Sequence, residues 1–407
     1  MTSEHAARLS TDDLALRLGV APERVEELAD VGVLERDPDG FFDPGDVHRV
    51  RLLLAFGDAG VPMEALIEAS RAGRISLRYY DQLHPAPGPL SGRSYAALRA
   101  SLGEQKVHLS HLFAAFGLAE PDPESRLTIE DERLVTEMLA IVVDTGQHDL
   151  ALRAIRMFGE GARRAADGAL GVYGEAADRA GDDVSGLPVE DVFQRLLRPW
   201  ARFARQSPML AEWLAGHHLS RAIDEYSVTQ TERTLEDAGF VRPRLEQPPA
   251  VAFVDLTGFT RLTEERGDDV AAGVAMRLGE LAAAIGQAQG GRVVKLLGDG
   301  VLVRFDDAAA AASATLDLLA TLPRAGLPSA HAGLASGPLI VRDGDVFGRT
   351  VNLASRIADA APDDHLYVPE SLAAELESDR FELTPTGGAD LQGIGRVALV
   401  DVARARA

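Results

Sequence analysis

Cysteine is absent from the 407 residues, which excludes disulfides, thiolate zinc sites and thiol catalysis. No apolar run in the sequence approaches the roughly 18 residues needed to cross a bilayer. The opening residues, 1–13, are polar and acidic, without the basic and then apolar order of a secretory signal. No membrane association is expected, and a cytoplasmic location follows by default. Positive charge is scarce: 41 Lys and Arg stand against 63 Asp and Glu, a formal net charge of −22. That balance argues against broad binding to phosphate backbones or anionic membrane surfaces. Internal repeats of useful length are also missing.

What is present is a globular composition, with 46% apolar and 26% charged residues, in a chain long enough for two or three domains. Residues 9–84 read as short helices between turn signals. Ser10–Thr11 can cap a helix over 12–18, Gly19 ends it, and Pro22 opens the next. Asp37-Pro38-Asp39-Gly40 is a turn, and a further helix starts near Pro44 and Asp46. This order resembles the winged helix-turn-helix head of MerR-type regulators over about 60 residues. The matching second helix carries Glu26-Glu27-Leu28-Ala29, however, and the wing Phe41-Phe42-Asp43, where that family places Arg and Tyr. Residues 1–85 hold 16 acidic against 9 basic side chains, a formal −7, the wrong sign for a DNA-binding surface. A helical module reused for dimer contacts or regulation is the favoured reading of 1–85.

Residues 90–240, bracketed by proline-rich stretches, read as a helical regulatory bundle. Helices are expected over 129–143, 148–179, 189–204 and 209–235 from three- and four-residue apolar spacing. His217-His218 with Trp213 and Tyr226 could sense pH, although adjacent helical residues point about 100° apart, so at most one imidazole faces a core. Leu150, Leu152, Ile155 and Phe158 could line a lipid pocket, but such a face is more often plain bundle core.

Residues 250–407 carry the chemistry, in three runs: FVDLTGFT, KLLGDG and GDVFGRTVNLASR. The apolar run 250–254 is a buried strand that delivers Asp255 to its end. Thr260 can cap a long helix to about Gln289. Strands over 292–296 and 301–305 meet in a hairpin at Gly298-Asp299-Gly300, and a further hairpin is expected from 329–336 with 338–342. A helix over 348–361 and short strands at 365–368, 381–383 and 397–402 complete an α+β fold, ferredoxin-like in outline, with a mostly antiparallel sheet.

Two carboxylates at neighbouring strand ends, Asp255 and Asp299, repel each other and call for divalent cations, two Mg²⁺ or Mn²⁺ held jointly with substrate phosphates. Taken singly, Asp255 could merely cap a helix and Asp299 merely fill a turn. The backbone of Thr257, Gly258 and Phe259, at a helix N-terminus, offers a rest for a triphosphate. Lys295 and Asp345 suit the reading of a base. Asn352 and Arg356 lie four apart, on one helix face, where a planar guanidinium can meet spread phosphoryl charge. An exposed amide and a surface ion pair are the alternative for those two.

Together the three runs resemble the catalytic domain of class III nucleotidyl cyclases over about 150 residues. The resemblance implies that Asp255 and Asp299 bind the metals and that Lys295 donates to N1 of adenine. It implies that Asp345 accepts from the exocyclic amine, Asn352 orients the ribose and Arg356 meets the transition state. All six positions hold the adenylate-type residue, where guanylate-selecting members carry Glu and Cys or similar at the base-reading pair. The family's site forms across a two-fold axis, so a homodimer is implied. The expectation is an adenylate cyclase that takes ATP to 3′,5′-cyclic AMP and pyrophosphate, gated by its helical N-terminal region. A guanylate cyclase and a MerR-like regulator with a nucleotide-sensing domain are the alternatives.

Overall fold

A computed structural model describes residues 8–72, 74–75, 84, 88–179, 189–192, 198–241, 248–376 and 379–405. The chain forms two compact units, Met1–Thr231 and Glu232–Ala407.

The first unit is helical. Helices α1 (Thr11–Leu18), α2 (Pro22–Asp30), α3 (Asp46–Asp58) and α4 (Met63–Arg71) enclose one core built on Leu14, Val25, Leu28, Phe42, Val50 and Leu53. Ser10 caps α1 by accepting from the Asp13 amide, while the Asp13 carboxylate accepts from the Ser10 amide, and Gly19 closes the helix in the left-handed region. Both are local stop and start signals. Where a wing is expected, the described residues hold one isolated bridge, Leu9 with Phe42. Phe42 turns inward and Phe41 stays out.

A second core joins α5 (Tyr95–Ser101), α6 (Leu109–Phe116), α7 (Ile129–Asp144) and the start of α8 (His148–Arg179). The apolar face expected on α8 is buried only in part. Leu152 is enclosed, whereas Leu150 and Phe158 lie open. Helix α9 (Arg198–Asp237) is one continuous run of 40 residues where two helices are expected; residues 193–197 of the expected 189–204 helix lie outside the described residues. Pro208 sits inside α9 and leaves the Ala204 carbonyl without its amide donor. The Ser207 hydroxyl donates to that carbonyl at 2.9 Å, so the helix passes through. The suggested pH cluster is not a core feature. His217 Nδ1 donates to the Trp213 carbonyl, 2.8 Å away, and Trp213, His217, His218 and Tyr226 are all exposed.

The second unit is a seven-stranded sheet in the order β2-β3-β1-β4-β7-β9-β8. Its strands are β1 (Ala250–Leu256), β2 (Arg292–Leu297), β3 (Gly300–Phe305), β4 (Ala330–Ser336), β7 (Leu366–Pro369), β8 (Phe381–Leu391) and β9 (Gly395–Arg404). Every pairing is antiparallel except β4 with β7. The first four strands, with helices after β1 and β3, form the β-α-β-β-α-β unit that the sequence order suggests. Alternate residues of β1, β3 and β4 bury against α11 (Asp268–Ala288) and α12 (Ala308–Thr321), and Asp307 caps α12.

Three expectations fail here. The long helix after β1 breaks into α10 (Phe259–Arg266) and α11, because Gly267 adopts φ 85°, ψ 165° and ends the first piece. The hairpin of 329–336 with 338–342 does not form. Strand β4 is enclosed between β1 and β7, and β5 (Ile340–Arg342) pairs with β6 (Asp345–Phe347) in a separate ribbon. Strand β8 is 11 residues long, extended past a bulge at Pro385 that lets it follow β9 to its end. Helix α13 (Arg349–Ala360) then packs across β4 and β1.

Candidate active site

Asp255 is the penultimate residue of β1, between two neighbours: Gly300 faces it on β3 and His331 on β4. The β2–β3 turn is the two residues Gly298 and Asp299, with Gly298 at φ 69° supplying the left-handed step. The Leu256 amide donates to the Asp299 carbonyl at 3.0 Å, tying the hairpin tip to the end of β1. The two carboxylates thus share one corner of the sheet. Burial pushes the Asp255 carboxyl above its ordinary range, and the nearby charges of Asp299 and Asp359 push the same way, while His331 opposes them. His331 Nε2 lies 3.8 Å from Asp255 Oδ2. Space at this corner is fixed by Gly300, where a Cβ would meet Asp255 Oδ1 at 2.6 Å.

The next residues turn into α10. Thr257 donates its amide to Ser329 O at 2.8 Å and its hydroxyl to Asp363 Oδ1 at 2.7 Å. Gly258 is the N-cap residue, at φ 73°, with no side chain to satisfy the first amides of the helix, and Phe259 packs on the main core. That leaves donors of the first turn facing outward, as an anion site requires.

Lys295 and Asp345 meet. Strand β2 carries a bulge between Val293 and Lys295, which re-aims the lysine. Its ammonium lies 2.7 Å from Asp345 Oδ2 and 5.8 Å from the centre of the Phe347 ring. The hydrogen bond from Lys295, with a second from the Val346 amide, holds the Asp345 carboxyl below its ordinary range. The Phe347 ring beside Lys295 is open, as are Leu296 and Leu297 elsewhere on β2 and Ile340 and Val341 on β5.

Asn352 and Arg356 share the open face of α13, whose other face buries Val351, Ala354, Ile357 and Ala358. Gly333 on β4 permits this packing, since a Cβ there would run into the Ala354 carbonyl and the Ala358 amide. Arg356 pairs with Asp359 at 2.9 Å, one turn along. Sequence spacing therefore brings together Asp255 with Asp299, Lys295 with Asp345, and Asn352 with Arg356. Among the described residues, no hydrogen bond or ion pair joins one of these pairs to another. His331, Asp359 and Gly333 escaped the sequence reading, and Gly300 was read only as a turn residue. The signal of His331 and of Gly300 as the neighbour of Asp255 was a register across β1, β3 and β4 that only pairing reveals.

No family profile matches the chain. It is 41% identical over 140 residues to an adenylate cyclase of Streptomyces coelicolor, which covers 34% of this chain and 37% of that protein. To an adenylate cyclase of Glutamicibacter nicotianae it is 32% identical over 150 residues, 36% of this chain and 37% of the other. It thus spans about a third of the length of these curated relatives. An uncharacterized protein of Mycobacterium tuberculosis is 26% identical over 315 residues, 77% of this chain and 80% of its own. Among solved structures, the adenylyl cyclase CyaB from Pseudomonas aeruginosa covers 39% of this chain at 23% identity, with a TM-score of 0.35 and 95% of its own chain matched. The guanylate cyclase domain of RhGC from Catenaria anguillulae covers 40% at 23% identity, with a TM-score of 0.36 and 98% of its own chain matched. No helix among the described residues is long and apolar enough to cross a membrane.

Proposed function

We propose that this chain is a class III adenylate cyclase, converting ATP to 3′,5′-cyclic AMP and pyrophosphate. The observation that carries the reading is the β2–β3 hairpin with its neighbours. It sets the carboxylate of Asp299 beside Asp255 at its tip and, four residues earlier, the ammonium of Lys295 against Asp345.

The donor set fits divalent cations. Two mutually repelling carboxylates keep an open corner that Gly300 leaves free, and no third carboxylate or imidazole among the described residues completes a cage. The missing oxygens would come from a triphosphate, as Mg²⁺ or Mn²⁺ sites usually require. Such ions, when bound, would polarise the reacting oxygens and neutralise the charge on the phosphates.

The chain's own residues account for the rest. The amides of Gly258 and Phe259 receive phosphate oxygens at the α10 N-terminus, while that of Thr257, expected to join them, is already given to the Ser329 carbonyl. Lys295 donates to N1 of adenine and Asp345 accepts from its amino group, a pattern that guanine reverses. Asn352 holds the ribose, so that its 3′-oxygen attacks the α-phosphorus in line. The new O3′–P bond forms as the bond to the β-phosphate oxygen breaks, the 3′-proton leaves to solvent, and Arg356 meets the charge on the phosphorus. The site is shared in a homodimer, with metals on one chain and base-reading and phosphoryl groups on the other. The open apolar side chains on β2, β5 and β6 are the support for this, because they would otherwise stay wet. The helical first unit gates the pair by changing how the two catalytic units meet, and its acidic MerR-like head has no part in DNA binding.

The test is incubation of purified protein with Mn²⁺ and either ATP or GTP, beside Asp299→Ala, with products identified by mass. Cyclic AMP from the unmodified chain alone supports the proposal. Cyclic GTP in preference, or no cyclic nucleotide, overturns it.

A further inference from the structure

The turn that leads from β1 into α10 is held from outside itself. Leu256 is fixed by the Asp299 carbonyl and Phe259 by its packing on the core. Between them Gly258 stands at φ 73°, in the left-handed region, as an N-cap residue with no side chain. A Cβ there would meet no atom within 4 Å, so the space over the turn is open. Glycine constrains its backbone least of all residues, so nothing at Gly258 itself aims the first amides of α10. The aim is set one residue earlier. Thr257 donates its amide to the Ser329 carbonyl at 2.8 Å and its hydroxyl to Asp363 Oδ1 at 2.7 Å. Asp363 lies 106 residues along the chain from Thr257, exposed, in the short connection between α13 and β7. Among the described residues no Lys, Arg or His pairs with its carboxylate; its donor is the Thr257 hydroxyl. The connection is itself pinned. The Asp364 amide donates to the Ala330 carbonyl at 2.7 Å, and the Ser329 hydroxyl donates to Asp364 Oδ2 at 3.1 Å. Asp364 stands at φ 65°, a left-handed step that Asp takes more readily than most residues.

We propose that Asp363 is a positioning residue for phosphate binding: by accepting from the Thr257 hydroxyl it aims the amides of Gly258 and Phe259. The inference rests on the cyclase reading above and adds to it a group that touches no substrate. Helix α13, which carries Asn352 and Arg356, ends at Ala360, three residues before Asp363. The same hydrogen bond therefore ties the phosphate turn to the end of that helix. The amides meet charge that a triphosphate carries before the reaction as well as during it. Loosening them weakens binding in the ground state and the transition state alike, which raises KM and leaves kcat nearly unchanged.

The test compares full-length Thr257→Val and Asp363→Ala, which remove donor and acceptor, with Thr257→Ser and Asp363→Asn, which keep a hydroxyl and an acceptor oxygen. Initial rates of cyclic AMP formation are measured over a range of ATP at fixed Mn²⁺, with inhibition by inorganic tripolyphosphate and a thermal melt beside them. In the first two variants KM should rise about tenfold, the worth of one hydrogen bond to a charged group, with kcat within about threefold of the parent. The tripolyphosphate inhibition constant should rise by the same factor. Thr257→Ser and Asp363→Asn should keep parental values to within about threefold. The double variant Thr257→Val with Asp363→Ala should be no worse than either alone, since the same hydrogen bond is lost only once. Unchanged KM in Thr257→Val and Asp363→Ala, or effects that multiply in the double variant, overturns the positioning role and leaves the cyclase reading standing. A fall in kcat that tracks a lower melting temperature does the same. No cyclic AMP from the parent overturns the cyclase reading, and this inference falls with it.

Discussion

Gly300→Ala separates the geometry of the carboxylate corner from the stability of the fold. Gly300 does not occupy the left-handed region, so alanine costs nothing in backbone strain and gains about 0.5–1 kcal/mol by restricting the unfolded chain. Its Cβ, however, arrives 2.6 Å from Asp255 Oδ1, well inside contact distance, and the carboxylate must swing by most of an ångström. An off-rotamer side chain costs about 0.5–1.5 kcal/mol. The two contributions nearly cancel, and the melting temperature should move little. The displaced carboxylate no longer points at the shared corner with Asp299. Misplacement of a reacting group by about 1 Å typically costs ~10²-fold in rate. The assay is the initial rate of cyclic AMP formation at saturating Mn²⁺ and ATP beside a thermal melt. A rate within threefold of the parent would refute the claim that Asp255 works from this corner.

Three further outcomes follow from the same structure. Gly333→Ala drives a Cβ into the backbone of α13 at Ala354 and Ala358, where no side chain can yield. The loss should reach the upper end of the ~1–3 kcal/mol of overpacking, read as a lower denaturation midpoint with unchanged slope. Asp255→Asn removes a carboxylate whose pKa the fold raises. A raised carboxyl opposes folding while ionised, so the variant should melt above the parent at pH 7, lose that advantage as pH falls through the raised value towards the ordinary one of about 4, and form no product. Lys295→Glu with Asp345→Cys breaks the 2.7 Å pair and inverts the hydrogen-bond pattern. ATP turnover should drop at least tenfold and the GTP-to-ATP ratio rise, measured by product mass.

The sequence was most informative where chemistry and backbone demand coincide. Gly298-Asp299-Gly300 could only be a tight turn, and β1, apolar from Ala250 to Val254, could only be central. The helix over 148–179 was legible to the residue because its periodicity runs uninterrupted between clear ends. Long-range pairing was not legible. Nothing local says that β4 joins β7 in parallel or that β5 turns to β6, since β5, β6 and β7 are only three or four residues long. The role of Gly333 is equally hidden, because its neighbour is a helix backbone twenty residues on. Pro208 misled the reading of α9, since a proline reads as a break unless a hydroxyl one residue before takes the orphaned carbonyl. His331 went unnoticed because a lone histidine in a strand carries no motif; its position opposite Asp255 is a fact of register.

The most direct test of the shared site is a mixing experiment. Asp299→Ala and Arg356→Ala are each expected to be inactive, one lacking a metal carboxylate and the other the phosphoryl group's arginine. Refolded or co-expressed in equal amounts, half of the dimers should be mixed, and each mixed dimer restores one intact site. Activity per chain should return to about a quarter of the parent value, as random two-fold pairing dictates. Activity no greater than that of the two variants measured separately would contradict the account.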